Sequence, residues 1–312
     1  MKKFRQYMES RSLSKATQTE HLKTLNIFFK WVKKEDIQVT KPDVLKYLEH
    51  LKKKGLQNVS RRNHLITLNH YFTHLYNSDL ITENPCWFIK IRGTNKKKLH
   101  KIYLPEELDQ LFDNYYVLFV RNYDDSRHRH EGQRHYSTLY RGRNALITSI
   151  LFNQGTTTQE IQKIETNDID LIKATIRIKG GKRLNERVLP LKASQMGLIM
   201  HYLQNIRPQI LDYHTNDSEK LFMSLPAIGY KTTENEMDRN VFTPLVKQLK
   251  TIDKQFINFQ QVRASVITFW IKNNGLRKAQ YMAGHRNISS TEKYVSNDLD
   301  GLTDDINKLH PF

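Results

Sequence analysis

Residues 284–294 read Gly-His-Arg-Asn-Ile-Ser-Ser-Thr-Glu-Lys-Tyr, with a tyrosine nine positions after a histidine. Twenty-two positions before that histidine stands Arg263, which closes the run Gln260-Gln-Val-Arg263. Both lie among helical patterns at 194–206, 240–250, 259–273 and 276–283. Upstream of these, Ile169 to Leu191 changes period: Thr175-Ile-Arg-Ile alternates like a strand, Gly180-Gly181 signals a turn, and Arg187-Val-Leu-Pro-Leu reads as the returning strand. Before the hairpin, a helix with Ala145, Ile147, Ile150 and Leu151 runs from Arg143 to Gly155. Leu104-Pro-Glu-Glu-Leu opens a helix with proline in its first turn, and 122–138 reads as a polar loop. Arg127-His-Arg-His130 lacks ligand spacing, so no metal site is expected there.

The first hundred residues read differently, as a small helical bundle. Leu22, Leu25, Phe28, Phe29 and Val32 recur at helical spacing after Thr17 and Glu20 in capping-box register. Thr40 is the expected cap of a second helix, with Pro42 in its first turn, a stripe of Val44, Leu45, Leu48 and Leu51, and Gly55 at its end. Ser60 is the expected cap of a third, carrying Leu65, Leu68, Phe72, Leu75 and Tyr76. Arg61 and Arg62 then fall in its first turn, against the macrodipole, where an external anion would relieve the conflict. They are candidate phosphate contacts. The reading divides the chain into a helical domain at 1–91, a basic linker at 92–101 that includes Lys96, Lys97 and Lys98, and a domain at 102–312 ending in a tail from 296.

Charge points to the partner. The 312 residues carry 50 Lys and Arg against 32 Asp and Glu, a net +18. Residues 1–100 hold 21 against 8, so most of the excess lies on the first third, as suits a surface laid along a phosphate backbone. Hydrophobic residues at 38% and aromatics at 10% exclude a disordered chain. No apolar run approaches the roughly 20 residues of a membrane span, and MKKFRQYMES lacks the apolar core of a signal peptide. A lone cysteine, Cys86, excludes an intramolecular disulfide and a thiolate metal cluster. A soluble, intracellular nucleic-acid-binding protein is expected, with no membrane association.

Four fragments in fixed order sharpen this: Gly155-Thr-Thr-Thr-Gln-Glu160-Ile, Lys182-Arg-Leu-Asn-Glu-Arg187-Val-Leu-Pro190-Leu, Gln260-Gln-Val-Arg263, and Gly284-His285 through Tyr294. In this order the chain resembles the tyrosine recombinase (phage integrase, Xer-like) family over almost its whole length. The resemblance implies a mainly α fold, with a SAM-like helical core-binding domain before a mostly helical catalytic domain holding a small antiparallel β-hairpin. It implies site-specific cleavage and rejoining of double-stranded DNA through a 3′-phosphotyrosine. Integration, excision and inversion of a mobile or chromosomal segment all use that chemistry. It further implies a tetramer on paired sites, accessory DNA-bending proteins, and a cytoplasmic, nucleoid-associated location. The tail after Tyr294, with Leu299, Leu302, Ile306 and Leu309, would dock on a neighbouring protomer or fold onto its own domain.

The chemistry explains the residue types. A phenol can keep a phosphoryl group as an ester and so conserve its energy for rejoining. Charge on the non-bridging oxygens needs preorganised donors, and the 5′-oxygen needs a proton. Side chains can supply all of this without metal or cofactor. By resemblance Tyr294 attacks, Arg263 and His285 hold the phosphate, Lys182 protonates the leaving oxygen, and Glu160 buttresses the site. Lys182 stands eight residues before Pro190 and five before Arg187, which fits the family spacing better than Lys179 does.

Two positions depart from the pattern. The first-motif arginine is replaced by Thr157, and the histidine three residues before Arg263 by Gln260. Gln260 can donate to a phosphate oxygen but cannot act as a base. Loss of one oxyanion donor costs about 3–4 kcal/mol, so another cation is expected at Thr157's place. Arg177, Arg183 and Arg187 are the hairpin candidates. The alternative is a catalytically impaired relative acting as a sequence-specific architectural or regulatory DNA-binding protein.

Overall fold

The computed structural model describes residues 2–93, 101–124, 126, 130–233, 237 and 239–295. The linker lysines Lys96, Lys97 and Lys98, most of the Arg127–His130 run, and the tail from 296 lie outside the described residues. The chain forms two compact units, Met1–Lys98 and Leu99–Phe312.

The first unit is four helices: α1 (Lys2–Ser10), α2 (Lys15–Val32), α3 (Lys41–Lys53) and α4 (Asn58–Tyr76). Their core is Phe4, Met8, Leu25, Phe28, Val44, Tyr47, Leu48, Leu51, Leu68 and Phe72, with Cys86 buried beside them. Helix α1 went unread in the sequence although Phe4 and Met8 are an i, i+4 pair on its buried face. Helix α2 begins earlier than expected. Ser14 is its cap, accepting from the Thr17 N–H, so Thr17 and Glu20 lie inside the helix. Thr40 caps α3 as expected, in a reciprocal box with Asp43, and Gly55 follows its end at φ +82°.

Ser60 is not a cap. Gln57 precedes the first turn of α4, which places Arg61 and Arg62 one turn deeper. There Arg61 donates Nε to the Leu48 carbonyl and Nη1 to Asn58 Oδ1. It joins α3 to α4 and is half-buried, whereas Arg62 is exposed. Leu45 and Tyr76, expected on apolar faces, are exposed, and Tyr47 takes the core position on α3.

The second unit is mainly α. Helix α5 (Pro105–Tyr116) continues through a wider turn at Val117–Arg121, and Glu107 accepts from the Leu104 N–H at its start. Helix α6 (Glu131–Asn153) starts 12 residues before the expected Arg143, so much of the supposed loop at 122–138 is helical. Its second half, from Arg143 to Phe152, is buried on every side, which makes it the axis of the domain. After α7 (Thr158–Ile161) come β1 (Ile169–Asp170), β2 (Thr175–Ile178) and β3 (Arg187–Pro190), an antiparallel sheet in that order. The expected hairpin therefore has a short third strand. Thr175 pairs with Pro190 and Ile178 with Arg187. This register puts Ile176, Ile178, Leu189 and Arg187 on the buried face.

Helices α8 (Ala193–His201), α9 (Arg207–Leu211) and α10 (Phe242–Ile252) complete the shell. Helix α11 (Phe259–Ala283) bends at Gly275, whose φ of +75° and ψ of 166° are not helical, and α12 (Ser289–Val295) follows. Among the described residues no helix is long and apolar enough to cross a membrane.

Candidate active site

Arg263 enters the site because α11 packs closely on the turn before α7. Gly155 makes that turn at φ +53°, and a Cβ there would lie 2.9 Å from Val266 of α11. The freed Gly155 carbonyl accepts Arg263 Nη1 at 2.5 Å. Arg263 Nη2 donates to the Ala283 carbonyl at 2.7 Å, so one guanidinium joins both ends of α11 to the α7 turn.

Thr157 caps α7. Its Oγ1 accepts the Glu160 N–H at 3.2 Å, and the Glu160 carboxylate accepts from Thr157 N–H at 2.8 Å and from its hydroxyl at 3.0 Å. The hydroxyl proton is thereby committed to Glu160, and Thr157 offers no donor to a substrate. Glu160 also accepts Arg187 Nη1 at 2.5 Å and lies 3.8 Å from Arg263 Nη1. Burial disfavours its charge, but the Arg187 bond and nearby guanidinium charge outweigh burial and hold its carboxyl below the usual range. Glu160 thus ties α7, β3 and α11 together.

His285 follows Gly284, the left-handed cap of α11 at φ +72°. Its Nε2 lies 3.3 Å from Arg263 Nη2, and its Nδ1 lies 2.9 Å from Thr291 Oγ1. A guanidinium can only donate, so Nε2 accepts and Nδ1 carries the proton donated to Thr291. Burial, then the Arg263 and Arg187 charges, push the imidazole pKa down to about 4. The ring is neutral at pH 7. Arg263 thereby sets the tautomer, and Thr291, to which the sequence reading gave no role, accepts the Nδ1 proton. Tyr294 stacks on His285 with ring centroids 5.8 Å apart and planes 12° from parallel. Burial lowers the Arg263 pKa, and Glu160 and the Tyr294 phenol counter it by favouring the charged guanidinium.

The hairpin tip is laced to the same segment. Gly181 N–H donates to the Leu184 carbonyl, Asn185 N–H to Gly284, and Arg286 Nη2 to Gly181, while Leu184 and His285 form an antiparallel bridge. Lys182 sits on this laced tip and is exposed. Lys179 is engaged elsewhere, ion-paired to Glu165 and 3.7 Å from Asp168. Gln260 is exposed one turn before Arg263 on α11.

The three hairpin arginines separate. Arg177 chelates Asp168 through Nε and Nη2 at 2.8 and 2.7 Å, which turns it away from the site. Arg183 is exposed on the tip. Arg187 points inward, and a Cβ on Gly284 would lie 2.6 Å from its Nη1. Among the described residues no group of three His, Cys, Asp or Glu could hold a metal ion. Tyr294, His285, Arg263, Glu160 and Arg187 therefore form one cluster, with Lys182 on the tip beside it.

The phage integrase family model matches residues 134–300, and the N-terminal SAM-like domain of phage integrases matches 1–82. The chain belongs to the phage integrase family. Tyrosine recombinase XerD of Staphylococcus aureus is 27% identical over 175 residues, as is the XerD of Staphylococcus saprophyticus. Each alignment covers 55% of either chain, so the match spans about half the length of these curated relatives. XerH site-specific recombinase in a post-cleavage complex with palindromic difH substrate shares the fold at TM-score 0.67 and 18% identity, covering 98% of this chain and 93% of that one. Lambda integrase (75–356), a dimer bound to a COC′ core site, gives 0.62 and 11%, with 95% and 94% covered. This integrase-family fold is mainly α with a small antiparallel sheet, as the sequence led us to expect.

Proposed function

We propose that this integrase-family chain is a site-specific DNA recombinase that breaks and rejoins duplex DNA through a phosphotyrosine at Tyr294. The convergence of Tyr294, His285 and Arg263 around Glu160 supports the reading most directly. In the cleavage step the Tyr294 oxygen bonds to phosphorus and gives up its proton to solvent water. The P–O5′ bond breaks, and the departing 5′-oxygen takes a proton from Lys182. Arg263 holds the non-bridging oxygens, His285 joins it once the incoming phosphate draws a proton onto Nε2, and Gln260 donates from the start of α11. The ester stores the energy of the broken bond, and attack by a 5′-hydroxyl reverses the step.

The basic first unit and linker suit the phosphate backbone of double-stranded DNA, and association should weaken steeply with salt. The solved relatives bound to difH and core-site DNA agree with that partner. A tetramer on paired sites and a cytoplasmic location follow from the same reading.

The test starts from duplexes selected by binding out of a randomised pool. A nicked suicide duplex of that sequence should trap a covalent adduct that Tyr294→Phe abolishes. Specific binding without any adduct would replace this reading with the architectural one, which Thr157 in place of a cation favours.

A further inference from the structure

Arg187 is in an unusual electrostatic position. Its side chain has no exposed surface. Nη1 is bonded to Glu160, but Nε and Nη2 have no hydrogen-bond partner. A buried guanidinium ordinarily satisfies its donors, because an unmade bond costs about 1–3 kcal/mol, and more for a charged group. The two orphaned groups are not scattered. Nε–H and the adjacent Nη2–H form one straight edge of the guanidinium, the fork that matches two oxygens of a phosphate.

The surrounding charge leads the same way. Arg187 and Arg263 bring two positive charges, Glu160 one negative charge, and His285 is neutral. The buried cluster is left with a net positive charge, and one phosphodiester anion would balance it.

We propose that Arg187 is the cation that replaces the missing first-motif arginine, presenting its Nε–Nη2 edge to the non-bridging oxygens of the scissile phosphate. Arg177 is withdrawn to Asp168, and the Thr157 hydroxyl is held by Glu160, so neither competes for this role. Glu160 fixes the orientation. It grips Nη1 from the opposite side and leaves the Nε edge for the ligand. The edge is covered in the DNA-free protein, so the phosphate gains it through a local opening of the cluster. This makes Arg187 a catalytic residue on β3, and it rests on the recombinase reading above.

Two arms test it on the full chain. In the first, Arg187→Gln and Arg187→Lys are compared with the parent on the suicide duplex, with folding checked by thermal melting. Adduct formation should fall about 10²–10³-fold, while affinity for the duplex changes less than threefold. On the same duplex with a neutral methylphosphonate at the scissile linkage, the deficit should shrink to below tenfold, because less charge remains to be neutralised. Equal deficits on both linkages would mean that Arg187 only holds the fold, and would overturn the assignment.

The second arm needs no turnover. Inorganic phosphate titrated into the DNA-free protein should shift the His285 ring resonances, and Arg187→Lys should weaken that binding at least tenfold. No response in the parent, or an equal one in the variant, counts against the Arg187 edge. Failure of the parent to form any adduct, with phosphate binding at Arg187 intact, would sink the recombinase reading and leave the anion site standing.

Discussion

Glu160→Ala is the sharpest perturbation of this cluster. The side chain is 7% exposed and receives the only side-chain hydrogen bond that Arg187 makes among the described residues. Its removal leaves Arg187 buried with no acceptor at all, and Arg263 without its nearest carboxylate. Breaking one side of a buried pair costs about 3–5 kcal/mol, because the surviving charge stays desolvated. For a unit of this size that corresponds to a fall in Tm of about 6–20 °C. Glu160→Gln should recover little. Its single amide oxygen can serve Thr157 or Arg187 but not both, and its NH2 would face a guanidinium donor.

The assay is urea unfolding of the full chain carrying Trp31→Phe and Trp87→Phe, so that Trp270 on α11 reports on the second unit alone. The double variant Glu160→Ala/Arg187→Met discriminates the cause. If the penalty comes from the orphaned guanidinium, deleting that charge should return at least about 2 kcal/mol relative to Glu160→Ala. A loss below about 1 kcal/mol, the value of an exposed ion pair, would refute the reasoning, as would a double variant no more stable than the single.

Two further outcomes follow from the same geometry. Gly284→Ala should destabilise the second unit by about 2–4 kcal/mol, the sum of a left-handed backbone and overpacking, and should abolish adduct formation. Its Cβ would lie 2.6 Å from Arg187 Nη1 and 2.9 Å from the Asn185 carbonyl. Gly55→Ala, equally left-handed but with open space around it, is the control and should cost about 1 kcal/mol. Calorimetry and the suicide duplex read both, and equal losses at the two glycines would exclude the clash. The third outcome concerns pH. His285 has its folded pKa lowered to about 4 from an ordinary 6.5, so between those values the unfolded chain binds the extra proton. Stability of the second unit should therefore be full above about pH 6.5 and decline as pH falls toward 4. Ring-resonance titration should place His285 near 4 in the DNA-free protein, and a midpoint near 6.5 would contradict the buried, cation-flanked imidazole.

Much of this protein is legible in one dimension wherever a local rule acts alone. Thr40, Pro42 and Gly55 bound α3 through backbone preferences that need no neighbours. The Gly180–Gly181 turn and the alternation on either side of it mark the hairpin for the same reason. The order and spacing of Glu160, Arg263, His285 and Tyr294 single out four side chains that the fold then brings into one cluster. Local rules misplace element starts where packing intervenes. Helix α6 begins at Glu131 because the helix extends beyond its buried half, while the polar composition there reads as loop. Ser14 rather than Thr17 caps α2, though both have the right chemistry.

What the chain by itself determined, then, is the fold class, the basic first unit and the identities of the chemical groups. Only the tertiary structure shows that Arg187 turns inward to Glu160, that Arg177 is held by Asp168 and that Lys179 is held by Glu165. Strand alternation puts Arg177 and Arg187 on opposite faces of the sheet, and the carboxylates that capture Arg177 and Lys179, Asp168 and Glu165, lie together on the turn before β1. The physical reason is that a charge is assigned by what surrounds it. Asp168 withdraws one guanidinium, Glu160 orients another, and neither distance is written in the order of the residues.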